Sequence, residues 1–235
     1  EATTISFPVQ QCDRGLGKYY SGRSSVIVNV DNHSPDNTHR AFMETNTSTP
    51  KIYISTDEGV TGKGNNLRNL FHKALELEAK AVIVIDADLK SMSPIWIRNL
   101  AEPLFDDYDF VAPLYIRHKY DVTVTNSIAY PLTRALYGRR VRQPIGGDVA
   151  FSNKVARSFA ESQIWDEAIA HFGIDVWMTT NAVKIHGSVI QSFMGRPKVH
   201  KIRDIDSQVG LIFEDVVGTI FELMLHFDSF WKEVK

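Results

Sequence analysis

Residues Ala81–Lys90 read AVIVIDADLK, in which five apolar residues, most of them β-branched, run straight into two aspartates one residue apart. An apolar run of that length with polar borders is the pattern of a strand buried on both faces of a parallel sheet, and it places Asp86 and Asp88 at the strand's carboxyl end. Open α/β sheets bind their ligands at that end. The aspartate pair is therefore the first candidate site.

Outward from this strand, strand-like and helix-like segments alternate. SSVIVNVD (Ser24–Asp31) has a buried-strand pattern, DNTHRAFMETN (Asp36–Asn46) reads as a short helix, and PKIYIS (Pro50–Ser55) as another strand. GKGNNLRNLFHKALELEAK opens with glycines and settles into helical spacing from Leu67 to Leu77. After AVIVID, SPIWIRNLAEPLF carries a helix-start signal at Ser93 and Pro94 and leads to a strand, YDFVAPLY. This βαβα order predicts an α/β fold with a mostly parallel, doubly wound sheet across residues 24–115. The second half differs. Residues 126–138 read as helical, VRQPIGGDVAFS as a glycine-rich turn, and 153–185 as largely helical with a break at Gly173. SVIQSFMG reads as a strand, PKVHKIRD as a polar loop, and residues 208–235 as a long amphipathic helix interrupted only at Gly218.

Composition narrows the class. A chain of 235 residues, 43% hydrophobic and 23% charged, can bury one full core, and a single domain is expected over residues 1–235. A net charge of −2 gives no general electrostatic reason to bind nucleic acid or an anionic membrane. The single cysteine, Cys12, rules out an intrachain disulfide and fits a reducing cytoplasm. No apolar stretch approaches the roughly 20 residues that a spanning helix needs.

Two motifs carry chemistry. Paired carboxylates leaving a strand end present hard oxygen ligands suited to Mg²⁺ or Mn²⁺, although aspartates in such loops often only cap or solvate a turn. In GVTGKGNNLR (Gly59–Arg68), Lys63 stands between two glycines ahead of a helix, where its ammonium and the backbone N–H groups suit a phosphate or a sugar. The spacing is not that of a phosphate-binding P-loop.

The order GKGNNLR, a buried strand ending DADL, then RQPIGGD, FGIDVWMTT and GRPKVHK resembles the GT-A glycosyltransferases. Within them it is most similar to the retaining enzymes that make glucosyl- or mannosyl-3-phosphoglycerate and mannosylglycerate. The resemblance implies a GT-A fold with a nucleotide-sugar half over residues 1–118 and a more helical acceptor-side half over 119–235. EATTI at the start is similar to the tail of the family's first motif, which implies that a first strand, holding the nucleotide base, precedes residue 1.

By the same resemblance, Asp86 and Asp88 face the donor ribose and a divalent metal, with Ala87 between them, Asp88 as the more direct ligand and His200 completing the site. Lys63 and Lys198 belong with the nucleotide or its diphosphate. Gly146 and Gly147 lie beneath the donor sugar, where small residues permit close approach, and Asp148 accepts sugar hydroxyls. Asp175 is a catalytic candidate, as general base in an inverting enzyme or as an orienting carboxylate in a retaining one. Inverting relatives carry Glu-Asp here, so Ile174 ahead of Asp175 favours retention.

Thr125 matches a position that binds the acceptor, while the acceptor-binding arginine and asparagine of the phosphoglycerate enzymes are not retained. Arg117, Lys119, Arg134 and Arg203 are the cations that could replace them. The implied activity is hexose transfer from a UDP- or GDP-hexose, with Mg²⁺ or Mn²⁺, to a small polar acceptor of glycerate or phosphoglycerate type. Two other classes stay open: a sugar nucleotidyltransferase, and a noncatalytic nucleotide-sugar-binding module. The apolar stripe of the last helix packs on its own domain or on a twin subunit, which keeps a homodimer open.

Overall fold

The computed structural model describes residues 1–117, 123–199 and 205–234, with backbone alone for 205–208. Strands β1 (Ile27–Asp31) and β2 (Lys51–Ser55) pair in parallel, with Ile27 opposite Lys51 and Asp31 opposite Ser55. Helices α1 (Ser6–Tyr19), α2 (Thr38–Glu44) and α3 (Lys63–Glu76) surround this pair.

Strand β3 (Ala81–Ile83), helix α4 (Ile95–Phe105) and strand β4 (Phe110–Ile116) follow, then a π-helical turn Thr125–Ala129 and α5 (Tyr130–Tyr137). Strand β5 (Ala150–Ser152), helices α6 (Asn153–Ala160), α7 (Glu167–Ala170) and α8 (Ile174–Lys184), strand β6 (Val189–Pro197) and helices α9 (Ile205–His226) and α10 (Asp228–Trp231) complete the chain. The result is an α/β fold in which parallel pairing dominates by length.

The doubly wound sheet expected across residues 24–115 needs correction in its connectivity. Strand β3 joins neither β1 nor β2 in a ladder; it belongs to a second sheet of order β3-β5-β4-β6. Strand β5, read from the sequence as part of a turn, runs antiparallel to both of its neighbours, whereas β4 and β6 run parallel. The run AVIVI is only three residues of ladder, extended by the Val84 N–H donating to the Val149 carbonyl at 2.8 Å.

Both faces of this second sheet are packed, as the apolar run requires. Val82 and Val84 face a core with Phe71 of α3, Phe151 of β5, Phe159 of α6 and Trp177 of α8. Ala81, Ile83 and Ile85 lean the other way, onto Trp96, Ile97 and Leu100 of α4. In the first core Phe151 meets Phe71 edge-on at 5.8 Å and Phe159 at 5.3 Å. Each such pair contributes about 0.5–1.5 kcal/mol beyond the area it buries. Strand β5 thereby brings a central core residue as well as a ladder.

The break at Gly173 is present, but Gly218 does not interrupt the last long helix, which runs unbroken through it. A glycine costs a helix interior only about 1 kcal/mol, and Val216, Thr219, Ile220 and Leu223, all buried, hold the turn around it. Among the described residues no helix is long and apolar enough to cross a membrane.

Candidate active site

The chain leaves β3 through Ile85 and turns at Asp86, Ala87 and Asp88. Ala87 packs against Ile5, Val9 and Phe42, and Asp88 is buried. Three other segments meet Asp86 here, and a fourth joins them through Lys63. The first is the start of α3, where Gly62 and Gly64 bracket Lys63. A Cβ on Gly62 would lie 2.2 Å from the Ala170 carbonyl oxygen, and one on Gly64 would lie 1.9 Å from that of Ile169. The two glycines are there because α3 begins directly against α7, and that close contact aims Lys63 inward.

Lys63 Nζ donates to Asp86 Oδ1 at 3.0 Å and to Asp175 Oδ2 at 3.1 Å. Asp175 sits in the first turn of α8, where the helix dipole favours a carboxylate. Its Oδ1 is equally close to the Lys63 nitrogen but is buried without a hydrogen bond. One lysine thus ties the strand end of the first half to a helix start of the second.

Lys198, just past β6, does the corresponding work on the other side of Asp86. Its Nζ donates to Asp86 Oδ2 at 2.8 Å and to the Gly146 carbonyl at 3.0 Å, and lies 2.8 Å from Asp148 Oδ2. These contacts use all three ammonium hydrogens. Among the described residues Lys63 donates two, one to each of its carboxylates.

Asp148 is wholly buried and both its oxygens are engaged: Oδ1 accepts the Asp86 N–H at 2.8 Å, and Oδ2 accepts the Tyr115 hydroxyl as well as meeting Lys198. Gly147 adopts φ +81°, and a Cβ on it would lie 2.5 Å from Asp86 Oδ2. Only glycine combines that backbone conformation with such close approach. Thr179 of α8 anchors the loop by donating to the Pro144 carbonyl at 2.9 Å.

Electrostatics follow from this pairing. Burial alone would raise Asp86, but Lys198 and Lys63 overcome it and hold the carboxyl far below the usual range. Burial likewise opposes the charge on both lysines, and is overcome for Lys63 by Asp175 and Asp86 and for Lys198 by Asp148 and Asp86, so both stay above the ordinary lysine value. Burial raises Asp148, with Lys198 acting against it. Neighbouring carboxyls are thus pushed apart, Asp86 firmly charged and Asp148 less so.

Of the residues predicted from sequence, the structure brings Lys63, Asp86, Gly146, Gly147, Asp148, Asp175 and Lys198 into one connected cluster. Thr125 is buried at the start of the π-helical turn and is not one of the groups the lysines tie together. His200, Lys119 and Arg203 lie outside the described residues, and Arg134 is exposed on α5. Among the described residues no three metal-ligating side chains converge.

Two features escaped the sequence reading. Tyr115 on β4 is one, and nothing in YDFVAPLY marks it. The other is the carboxyl end of β1, where buried Asp31 accepts from the Ser34 N–H at 2.9 Å and the Tyr53 hydroxyl at 2.7 Å. Beside it Asn29 Nδ2 and Asn32 Oδ1 are buried without partners. An aspartate ending a strand was a signal available in SSVIVNVD, as it was in AVIVIDAD.

The family model described as Glycosyl transferase family 2 matches residues 23–165. No curated protein sequence matches the chain. Among solved structures, glucosyl-3-phosphoglycerate synthase from Mycobacterium tuberculosis with Mn²⁺, UDP and glucosyl-3-phosphoglycerate is similar at 21% identity and a TM-score of 0.75, covering 94% of this chain and 75% of that one. The same synthase with Mn²⁺, UDP-glucose and phosphoglyceric acid gives the same figures. A further mycobacterial protein is similar at 19% identity and a TM-score of 0.73, over 94% of this chain and 70% of its own. At these identities the likeness establishes the fold.

Proposed function

Because the chain belongs to glycosyl transferase family 2 and is a glycosyltransferase of GT-A fold, we propose that it moves a hexose from a nucleotide diphosphate sugar, UDP- or GDP-linked, to a small polar acceptor of glycerate or phosphoglycerate type. Family membership selects the transferase from the three classes left open by the sequence. The observation that carries the finer reading is Lys63 joined to both Asp86 and Asp175. A cation between the two halves of the chain is where a diphosphate bridging donor and acceptor sides would be met.

In this reading the chain is one domain, residues 1–118 forming the nucleotide-sugar half and 119–235 the acceptor-side half, with Gly146, Gly147, Asp148 and Lys198 reaching back to the donor. Asn29 within β1 and Asn32 just past it hold an amide donor and a carbonyl acceptor without partners among the described residues, a pairing that suits the edge of a nucleobase. Gly147 lets the Asp86 carboxylate and the Lys198 ammonium close against the loop assigned to the donor sugar. Asp175, held by Lys63 through both oxygens and with no hydrogen bond yet on Oδ1, is assigned to orienting a substrate hydroxyl. With the Lys63 ammonium within 3.1 Å of the carboxylate, the role assigned to Asp175 is orientation rather than proton abstraction, which fits transfer with retention. Thr125 and the cations Arg117 and Arg134 are assigned to the acceptor side.

Mg²⁺ or Mn²⁺ would be held by the hard oxygens of Asp88 with His200, and by Asp86 only in exchange for a lysine contact, since both its oxygens carry an ammonium. Such an ion, when bound, neutralises charge on the leaving diphosphate. The M. tuberculosis synthase is described with Mn²⁺ and UDP-glucose, which supports the same ligand class here.

Calorimetric titration with UDP and with GDP, each in Mn²⁺ and in EDTA, tests this on the parent chain and on Asp88→Ala. Binding of one nucleotide only with metal, lost in the variant, is expected. Metal-independent binding, or none by a folded parent chain, would overturn the reading. Incubation of UDP-glucose with 3-phosphoglycerate or glycerate then reads the acceptor, and the anomeric configuration of the product reads retention.

A further inference from the structure

Tyr115 touches every part of the Asp148 side of the cluster. Its hydroxyl donates to Asp148 Oδ2 and lies 3.5 Å from the Gly146 carbonyl oxygen. Its ring lies under the Lys198 ammonium, 5.2 Å from nitrogen to centroid, and packs on Trp96 at 5.5 Å. The Gln143 side chain, at the entry to the same loop, donates to the Tyr115 carbonyl at 3.3 Å. Strand β4 is inside the second sheet, so the residue is held on a rigid element rather than on a loop.

These contacts matter because Asp148 and Lys198 share one arrangement. Asp148 Oδ2 has two donors, the Tyr115 hydroxyl and the Lys198 ammonium. Without the hydroxyl, the carboxylate is left with Lys198 alone on that oxygen. It is then free to rotate toward the lysine, drawing it from Asp86 and loosening the Asp86 N–H bond to Oδ1. A cation shared between two carboxylates moves toward whichever is less satisfied by other donors. The tyrosine hydroxyl keeps that competition balanced.

We propose that Tyr115 is a positioning residue of the transfer site, acting through Asp148 to hold Lys198 and Asp86 where the donor diphosphate is received. The proposal rests on the donor site assigned above, and Tyr115 touches no substrate in it. Tyr115→Phe removes the hydroxyl and keeps the ring under Lys198 and against Trp96. Tyr137→Phe is the control, because the Tyr137 hydroxyl is buried without a hydrogen bond.

Two measurements decide it. Amide hydrogen exchange should quicken in Y115F within residues 143–150 and 195–199 and stay unchanged in Y137F. Nucleotide affinity in Mn²⁺ and kcat should fall in Y115F by about tenfold or more, as for supporting partners of ligand-binding groups, with the acceptor KM unchanged. A merely structural hydroxyl would lower the melting temperature and leave kcat and affinity intact. That result, or unchanged exchange in both segments, overturns the proposal. If the parent chain binds no nucleotide, the functional reading fails instead, and the exchange experiment alone decides whether Tyr115 holds the pair.

Discussion

Replacing Lys63 by methionine removes an ammonium from between two aspartates while keeping most of the side chain's volume. The nitrogen lies 3.0 Å from Asp86 and 3.1 Å from Asp175. At an effective dielectric of about 20, each contact is roughly 5 kcal/mol of gross attraction, offset by the cost of taking the three charges out of water. Removing one partner of a buried pair costs about 3–5 kcal/mol net. Lys63 retains 28% side-chain exposure, so the lower end, about 3 kcal/mol, is expected, or a fall in melting temperature of about 6–12 °C for a chain of this size. Urea denaturation of K63M, D175N and the double variant measures it directly. A coupling of about 1–3 kcal/mol should separate the double variant from the sum of the singles. A K63M protein within about 0.5 kcal/mol of the parent, or an additive cycle, would refute a shared ammonium at the centre of this site.

Stability should form a plateau in pH with edges set by the same groups. Asp86 is held below the usual carboxylate range, so its contribution is complete above about pH 4 and is lost as pH falls further. Lys63 and Lys198 are held above the ordinary lysine value, so theirs is complete below about pH 10 and is lost as pH rises through the elevated values. Asp148, raised by burial, works in the opposite sense on the acid side; melting temperatures from pH 2 to 11 would record the edges, and in D86N the acid edge should soften. Gly64→Ala places a methyl 1.9 Å from the Ile169 carbonyl oxygen, and chemical denaturation should show a loss of about 1–3 kcal/mol together with weakened nucleotide binding; parent-like stability would mean that α3 does not abut α7 so closely. Gly218→Ala enters open space inside α9, so the melting temperature should rise with a gain of about 1 kcal/mol, whereas a loss would place a true helix break there.

Much of this architecture is decided locally and is therefore legible in the sequence. The apolar run before Asp86 had to be a covered strand, and the glycines around Lys63 marked the entry to a helix; both follow from periodicity and backbone preferences within about ten residues. Family-like motifs located the cluster members as well, because each is a short string. Three things were not legible. Strand β5 is only Ala150–Ser152, too short for any periodicity, and it became a strand because β3 and β4 leave a slot that its backbone groups fill. Gly173 and Gly218 look alike on paper; a Cβ at Gly173 would lie 2.0 Å from Thr219 Oγ1 while one at Gly218 meets nothing, so one glycine caps the start of α8 against α9 and the other passes unnoticed inside a helix. Tyr115 lies 33 residues from Asp148, and their hydrogen bond exists only because β4 and β5 are neighbours. Sequence by itself determined which residues could carry charge to a strand end. The tertiary structure decided which charges meet, since ion pairs reaching across 112 residues, as Lys63 to Asp175 and Lys198 to Asp86 do, form only after the sheets and helices have packed.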